Sequence, residues 1–265
     1  MISWQELVDA DFAVPSDRDT AVDDLVTMLA AADPTARDGY AYRILTTWIR
    51  RGVLDDRLGP LGDAMTARFD HPEVQARTFA PLVLASAVAR DTAAGVLDAA
   101  RIASWRDRFA AWWPTEAEVR GWDPALGWLH AVAHGADLVG QLAESPRLDG
   151  DDLAALLRLV AARIVAPGGY RYGHMEEDRV GAAVGRVLCR PELTGAGSVG
   201  WLTTVDGLLA TGEPGPLPVE VANTMAVLRA VYVFADRLPV PHRTVVLDAV
   251  ADRLHEYFGP YPGRE

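Results

Sequence analysis

The sequence predicts an all-α fold, and three observations carry that expectation. Apolar residues recur with a 3.6-residue period along nearly the whole chain, while strand-like alternation is almost absent. Capping side chains or prolines precede the periodic runs, and glycine or proline follows them. Two helix starts resemble each other: Asp33-Pro34-Thr35-Ala36-Arg37 and His71-Pro72-Glu73-Val74-Gln75-Ala76-Arg77. Their spacing, roughly 40 residues, is that of HEAT-like helical hairpins, which stack their apolar faces and leave a concave surface.

The elements follow in order as about ten helices, near 17–31, 35–51, 58–69, 73–90, 97–113, 126–144, 150–165, 175–189, 197–210, 219–237 and 242–257. Starts are marked by Ser16, Asp33-Pro34, His71-Pro72, Asp149 and Pro218-Val219-Glu220. Stops fall at Gly52, Gly95, Pro114, Pro146, Pro167-Gly168-Gly169 and Pro239. Gly212-Glu213-Pro214-Gly215-Pro216 is the most linker-like stretch, but the helices on both sides carry apolar stripes that need partners. The reading is therefore one helical-repeat domain over 1–258, followed by a flexible tail over 259–265.

Composition narrows the chemistry. The 265 residues carry a formal charge of −12, and all 25 basic residues are arginine. Without lysine there is no Schiff base and no phosphate loop ending in Gly-Lys-Ser/Thr. The acidic balance argues against nucleic acid and against a membrane surface. No apolar stretch reaches the roughly 18 residues of a membrane span. The start of the chain lacks the basic and apolar regions of a secretory leader, and Cys189 is the one cysteine, so a cytoplasmic location is expected.

The segment 120–141 is the most informative. From Pro124 to Gln141 its only charged residue is Asp137, the composition of a helix buried on most sides. At about 100° per residue from His130, His134 falls near 40°, Asp137 near 340° and Gln141 near 20°, one narrow polar stripe. Two accounts fit: a hydrogen-bond network that fixes helix packing, or a groove lined by His130, His134 and Asp137. In a groove, the two histidines and Asp137 would serve either as divalent-metal ligands or as a metal-free acid–base set. The zinc-protease pattern is excluded, because Ala131 stands where its glutamate would be. No other cofactor is implied.

Five of the eight tryptophans, Trp105, Trp112, Trp113, Trp122 and Trp128, lie within this stretch or just before it. Most are expected in the core. Trp122, in a Gly-Trp-Asp-Pro turn, is the best placed to face a ligand, with Trp128 and Arg120 nearby. A second segment, from Gly168 through Tyr170 and His174 to Glu176 and Arg179, reads in two ways. Its acids would suit a helix start, with Glu176 and Arg179 as an i, i+3 pair, or the loop would form a lid over the histidine helix. Gly195-Ala196-Gly197-Ser198-Val199-Gly200 matches a dinucleotide fingerprint in letters alone, because no strand precedes it.

These residues carry a resemblance. Glu118-x-Arg120-Gly121-Trp122-Asp123, Gly127-Trp128-x-His130-x3-His134-Gly135-Ala136-Asp137 and Glu176-x2-Arg179 resemble the bacterial family defined by domain of unknown function 2785, from the Asp33-Pro34 helix to about residue 190. The resemblance implies an all-helical, HEAT-like protein with motif positions at Arg120, His130, His134 and Asp137, and it implies no reaction. The leading expectation is a protein whose His/Asp groove binds a small molecule or peptide through Arg120, Trp122, Trp128, Tyr170, Glu176 and Arg179. The alternatives are a hydrolase or lyase using His130, His134 and Asp137, and a scaffold for protein–protein contact.

Overall fold

The computed structural model describes residues 3–210 and 216–258, and within them the fold is all-α apart from one small hairpin. The 259–265 tail and most of the 212–216 linker lie outside the described residues. The helices, in order, are α1 (Trp4–Asp9), α2 (Arg18–Met28), α3 (Arg43–Arg50), α4 (Leu58–Ala67), α5 (Val74–Ala94), α6 (Ala99–Trp112) and α7 (Ala131–Glu144). They continue with α8 (Gly150–Val165), α9 (Glu176–Leu188), α10 (Gly195–Gly200), α11 (Leu202–Leu209), α12 (Val219–Arg237) and α13 (Arg243–Phe258). Residues Thr35–Tyr42 are wound as a π-helix that runs straight into α3. Among the described residues, no helix is long and apolar enough to cross a membrane.

Local chemistry explains several boundaries. Asp17, Asp98 and Thr194 each cap a helix by accepting from a first-turn amide, and Asp149 forms a reciprocal capping box with Asp152. The predicted 197–210 helix is instead two, broken at Trp201, and α1 was not anticipated. A larger correction concerns the predicted 126–144 helix, which begins only at Ala131. The residues before it form an antiparallel hairpin, β1 (Trp122–Asp123) with β2 (Gly127–Trp128). Turn chemistry prevails over periodicity here. The Asp123 carboxylate accepts from the Ala125 and Leu126 amides, Pro124 presets the turn, and Gly127 supplies φ +72°.

Five helical segments lie side by side in chain order: the π-helix with α3, then α5, α7, α9 and α12. Equivalent positions meet along each pair. Tyr42 packs on Phe79, the Thr78 carbonyl meets His134, Asp137 meets Arg179, and Gly181 and Gly185 lie against Ala230 and Phe234. The five therefore run in the same direction, and their N-termini gather at one end. The connecting helices form a second layer, in which α4 meets α6 through Asp63 and the Trp105 indole N–H, and α6 meets α8 through Arg106 and Asp152. The core fills the space between, with Trp48, Trp113, Phe109 and many leucines fully buried.

The two look-alike helix starts also share a task. Arg37, fully buried, donates to the Leu126 carbonyl (2.7 Å) and the Trp128 carbonyl (3.3 Å), and its guanidinium lies over Phe79. Arg77 holds Glu116 with two bonds of 2.7 and 3.0 Å. Both arginines thus brace the segment between α6 and α7, where the hairpin sits.

Candidate functional site: a histidine–carboxylate pair beneath two tryptophans

The hairpin ladder is prolonged by two backbone bonds, from Leu129 N–H to the Gly121 carbonyl and from His130 N–H to the Arg120 carbonyl. His130 then leaves the ladder with φ +49° and becomes the N-cap of α7. Met175 does the same at the start of α9, with φ +67°. Neither supplies a side-chain cap. Left-handed backbone at a non-glycine residue costs about 1–2 kcal/mol and gathers at functional sites. Here two such residues flank one site.

Between them lies its centre. Glu176 is fully buried, and its Oε2 accepts from the amides of Gly173 (3.1 Å) and His174 (2.7 Å). Its other oxygen, Oε1, has no hydrogen-bond partner and faces His130 Nε2 at 3.8 Å. His130 Nε2 is also buried and without a partner. Burial pushes the His130 pKa down, with only partial opposition from the Glu176 charge. Gly121 makes the arrangement feasible: a Cβ there would come within 2.4 Å of Glu176 Oε1 and 2.6 Å of the His174 ring.

Aromatic rings cover the pair. Trp128 lies 4.5 Å from the His130 ring, and Trp122 meets Trp128 edge to face at 4.7 Å across the hairpin. Both tryptophans are largely open, at 43% and 40% exposure, and Met175, next to His174 in the chain, is at 65%. The exposed His174 ring closes the other side, 5.5 Å from Trp128. The expectation that most tryptophans of this stretch are core residues holds for Trp105, Trp112 and Trp113.

His134 sits deeper, behind His130, with ring centroids 5.6 Å apart. Its Nδ1 lies 2.9 Å from the Thr78 carbonyl, so that nitrogen carries the proton and donates. Burial lowers its pKa to about 3, despite the bond to Thr78. Asp137 makes no hydrogen bond to this group. Both of its oxygens accept from Arg179 of α9, at 2.7 Å through Nε and through a shorter Nη2 contact. The anticipated metal or acid–base set of His130, His134 and Asp137 therefore does not converge, because the guanidinium fork matches the Asp137 carboxylate from the neighbouring helix. Among the described residues, no group of three or more His, Cys, Asp or Glu side chains is gathered to hold a metal ion.

Other expected residues are occupied elsewhere. Arg120 is held by Glu118 and Asp123, which raise its pKa, and it serves the site through its backbone carbonyl. Glu176 does not pair with Arg179 as the i, i+3 spacing suggested. The glycine–tyrosine loop is no free lid: Glu220 accepts from the Gly168 and Gly169 amides, while Asn223 binds the Tyr170 carbonyl and the Tyr172 amide. The Tyr170 backbone is thus anchored to the start of α12. Residues missed from sequence are Arg37, Gly121 and His174. Arg37 had a signal in the repeated helix start, and Gly121 stood inside the motif block.

Fold and site together define an all-α protein carrying a buried, unbonded histidine–carboxylate pair under exposed tryptophans. Residues 66–233 match the family model described as Protein of unknown function (DUF2785), and the chain belongs to that family. The match begins later and ends later than the motif block suggested, and it includes the histidine–carboxylate pair and both hairpin tryptophans but not Arg37. No curated protein and no solved structure matches the chain.

Proposed function

We propose that this chain is a HEAT-like helical protein of the cytoplasm that binds a small molecule or peptide at the N-terminal end of its parallel helix layer. One observation carries the reading: His130 Nε2 and Glu176 Oε1 are buried, face each other, and lack hydrogen bonds. Each unsatisfied buried group costs about 1–3 kcal/mol, so such a pair is sustained where a bound group supplies the partners. Trp122, Trp128 and Met175 offer an apolar rim, which suits a ligand with a flat or apolar body and a polar group directed inward.

The dyad also favours a second reading, acid–base catalysis. A proton on His130 Nε2, directed at Glu176, leaves Nδ1 as the accepting nitrogen. Burial keeps the ring neutral near pH 7, the form that takes up a proton.

A thermal-shift screen of metabolites and short peptides tests the binding reading. Hits should stabilise the wild type and lose that effect in Trp128→Ala and in His130→Ala. If every hit survives both substitutions, the site is not where binding occurs.

A further inference from the structure

The two arginines that the sequence places near the groove are both neutralised, Arg120 by Glu118 and Asp123, and Arg179 by Asp137. An uncommitted cation stands elsewhere on the same helix layer. The Arg50 side chain, exposed in the last turn of α3, has no hydrogen bond, ion pair or ring contact among the described residues. An arginine there suits the helix dipole, which accounts for its charge but not for its surroundings. It lines a cleft of about 320 Å³ between α3 and α5. That volume is at the lower end of small-molecule sites, roughly 300–1,000 Å³.

The lining is chemically one-sided. Arg90 shares the cleft with Arg50, and Asp55 holds its Nε and Nη2 at 2.7 and 2.5 Å, so the fork is fixed and Nη1 stays uncommitted. The Thr46 and Ser86 hydroxyls spend their protons on the Tyr42 and Leu82 carbonyls of their own helices. At the other end is Tyr42, whose phenol burial keeps protonated at neutral pH and able to donate. Ala89 forms an apolar floor, and no carboxylate lines the cleft. In a chain of net charge −12, a cleft whose lining has no carboxylate and one unpaired guanidinium, Arg50, beside the Asp55-paired Arg90, departs from the acidic surroundings.

We propose that the α3–α5 cleft binds a small organic oxyanion, a carboxylate or a phosphate monoester. Arg50 and the free Nη1 of Arg90 hold the oxyanion, its body lies on Ala89, and its far end reaches Tyr42. Arginine is the side chain suited to this, since its planar fork donates two bonds to either oxyanion. The proposal is independent of the tryptophan–histidine site.

Calorimetric titration of the full chain with benzoate, phenyl phosphate and neutral benzamide tests it. At least one anion should bind saturably in the millimolar range or better, at least tenfold more tightly than benzamide. Arg50→Gln, at an exposed position, should weaken that anion at least tenfold with an unchanged circular dichroism spectrum, while Trp122→Ala should leave it unaltered. Whichever of benzoate and phenyl phosphate binds more tightly identifies the anion class. Equal binding of benzamide, no binding of either anion, or wild-type affinity in Arg50→Gln would overturn the proposal. Loss of anion binding in Trp122→Ala alone would move the anion to the tryptophan–histidine site, sinking this inference while sparing that reading.

Discussion

His130 Nε2 and Glu176 Oε1 stand 3.8 Å apart, each buried, and neither makes a hydrogen bond. They come from the N-termini of neighbouring parallel helices, separated in the chain by the whole of α7 and α8. Glu176 is held from behind by two loop amides, so its free oxygen points at a fixed place.

Glu176→Ala removes the acceptor of both amides and should cost at least about 1.5–3 kcal/mol in urea unfolding. Glu176→Gln keeps an oxygen for the amides and turns an NH2 donor toward His130, so its cost should stay below about 1 kcal/mol. Equal losses in the two variants would show that the negative charge itself is required.

Gly121→Ala places a methyl group against Glu176, His174 and His130 together. The expected cost is about 1–3 kcal/mol, with a changed near-ultraviolet dichroism from Trp122 and Trp128. An unchanged tryptophan signal would mean that the three side chains yield without moving the hairpin.

Arg37→Met strands the carbonyls of Ala31, Leu126 and Trp128 and leaves Asp38 without its partner. Breaking a buried charged network of this kind costs about 3–5 kcal/mol. Denaturant midpoints, together with the exposure of Trp122 and Trp128 to a quencher, measure this. A loss under about 1 kcal/mol would remove Arg37 as the brace of the hairpin.

Asp137→Asn tests the departure from the sequence-derived set directly. A half-exposed ion pair contributes about 0.2–1 kcal/mol, so stability should barely change, and any ligand lost in His130→Ala should still bind. If Asp137→Asn abolishes that binding as well, Asp137 belongs to the site despite its bond to Arg179.

Stability should fall with acid below about pH 6.5. His134 has a folded pKa of about 3 against 6.5 for a free side chain, so the unfolded chain takes up a proton that the fold refuses. Its contribution is complete above about pH 6.5 and is lost as the pH falls toward 3, by up to about 1.4 kcal/mol per pH unit. The His130 shift has the same sign. In urea midpoints between pH 7.5 and 5, His134→Asn should show a shallower slope than the wild type. Parallel slopes would refute the assignment.

The sequence by itself determined the all-α class, most helix starts, the buried tryptophans and the neighbourhood of the site. Each of these depends on residues close in the chain: a 3.6-residue period, a capping oxygen, a proline. The Trp-Asp-Pro turn was legible too, although the periodicity around it read as helix and hid where α7 begins. Tertiary structure alone decided which polar groups meet. Periodicity places His130, His134 and Asp137 on one stripe, but a stripe does not say what lies across from it. Arg179 of α9 took Asp137, the Thr78 carbonyl took His134, and Glu176, which spacing assigned to Arg179, came to face His130. Partners across a helix interface are set by the register of two packed helices, and that register comes from the fit of their whole apolar faces.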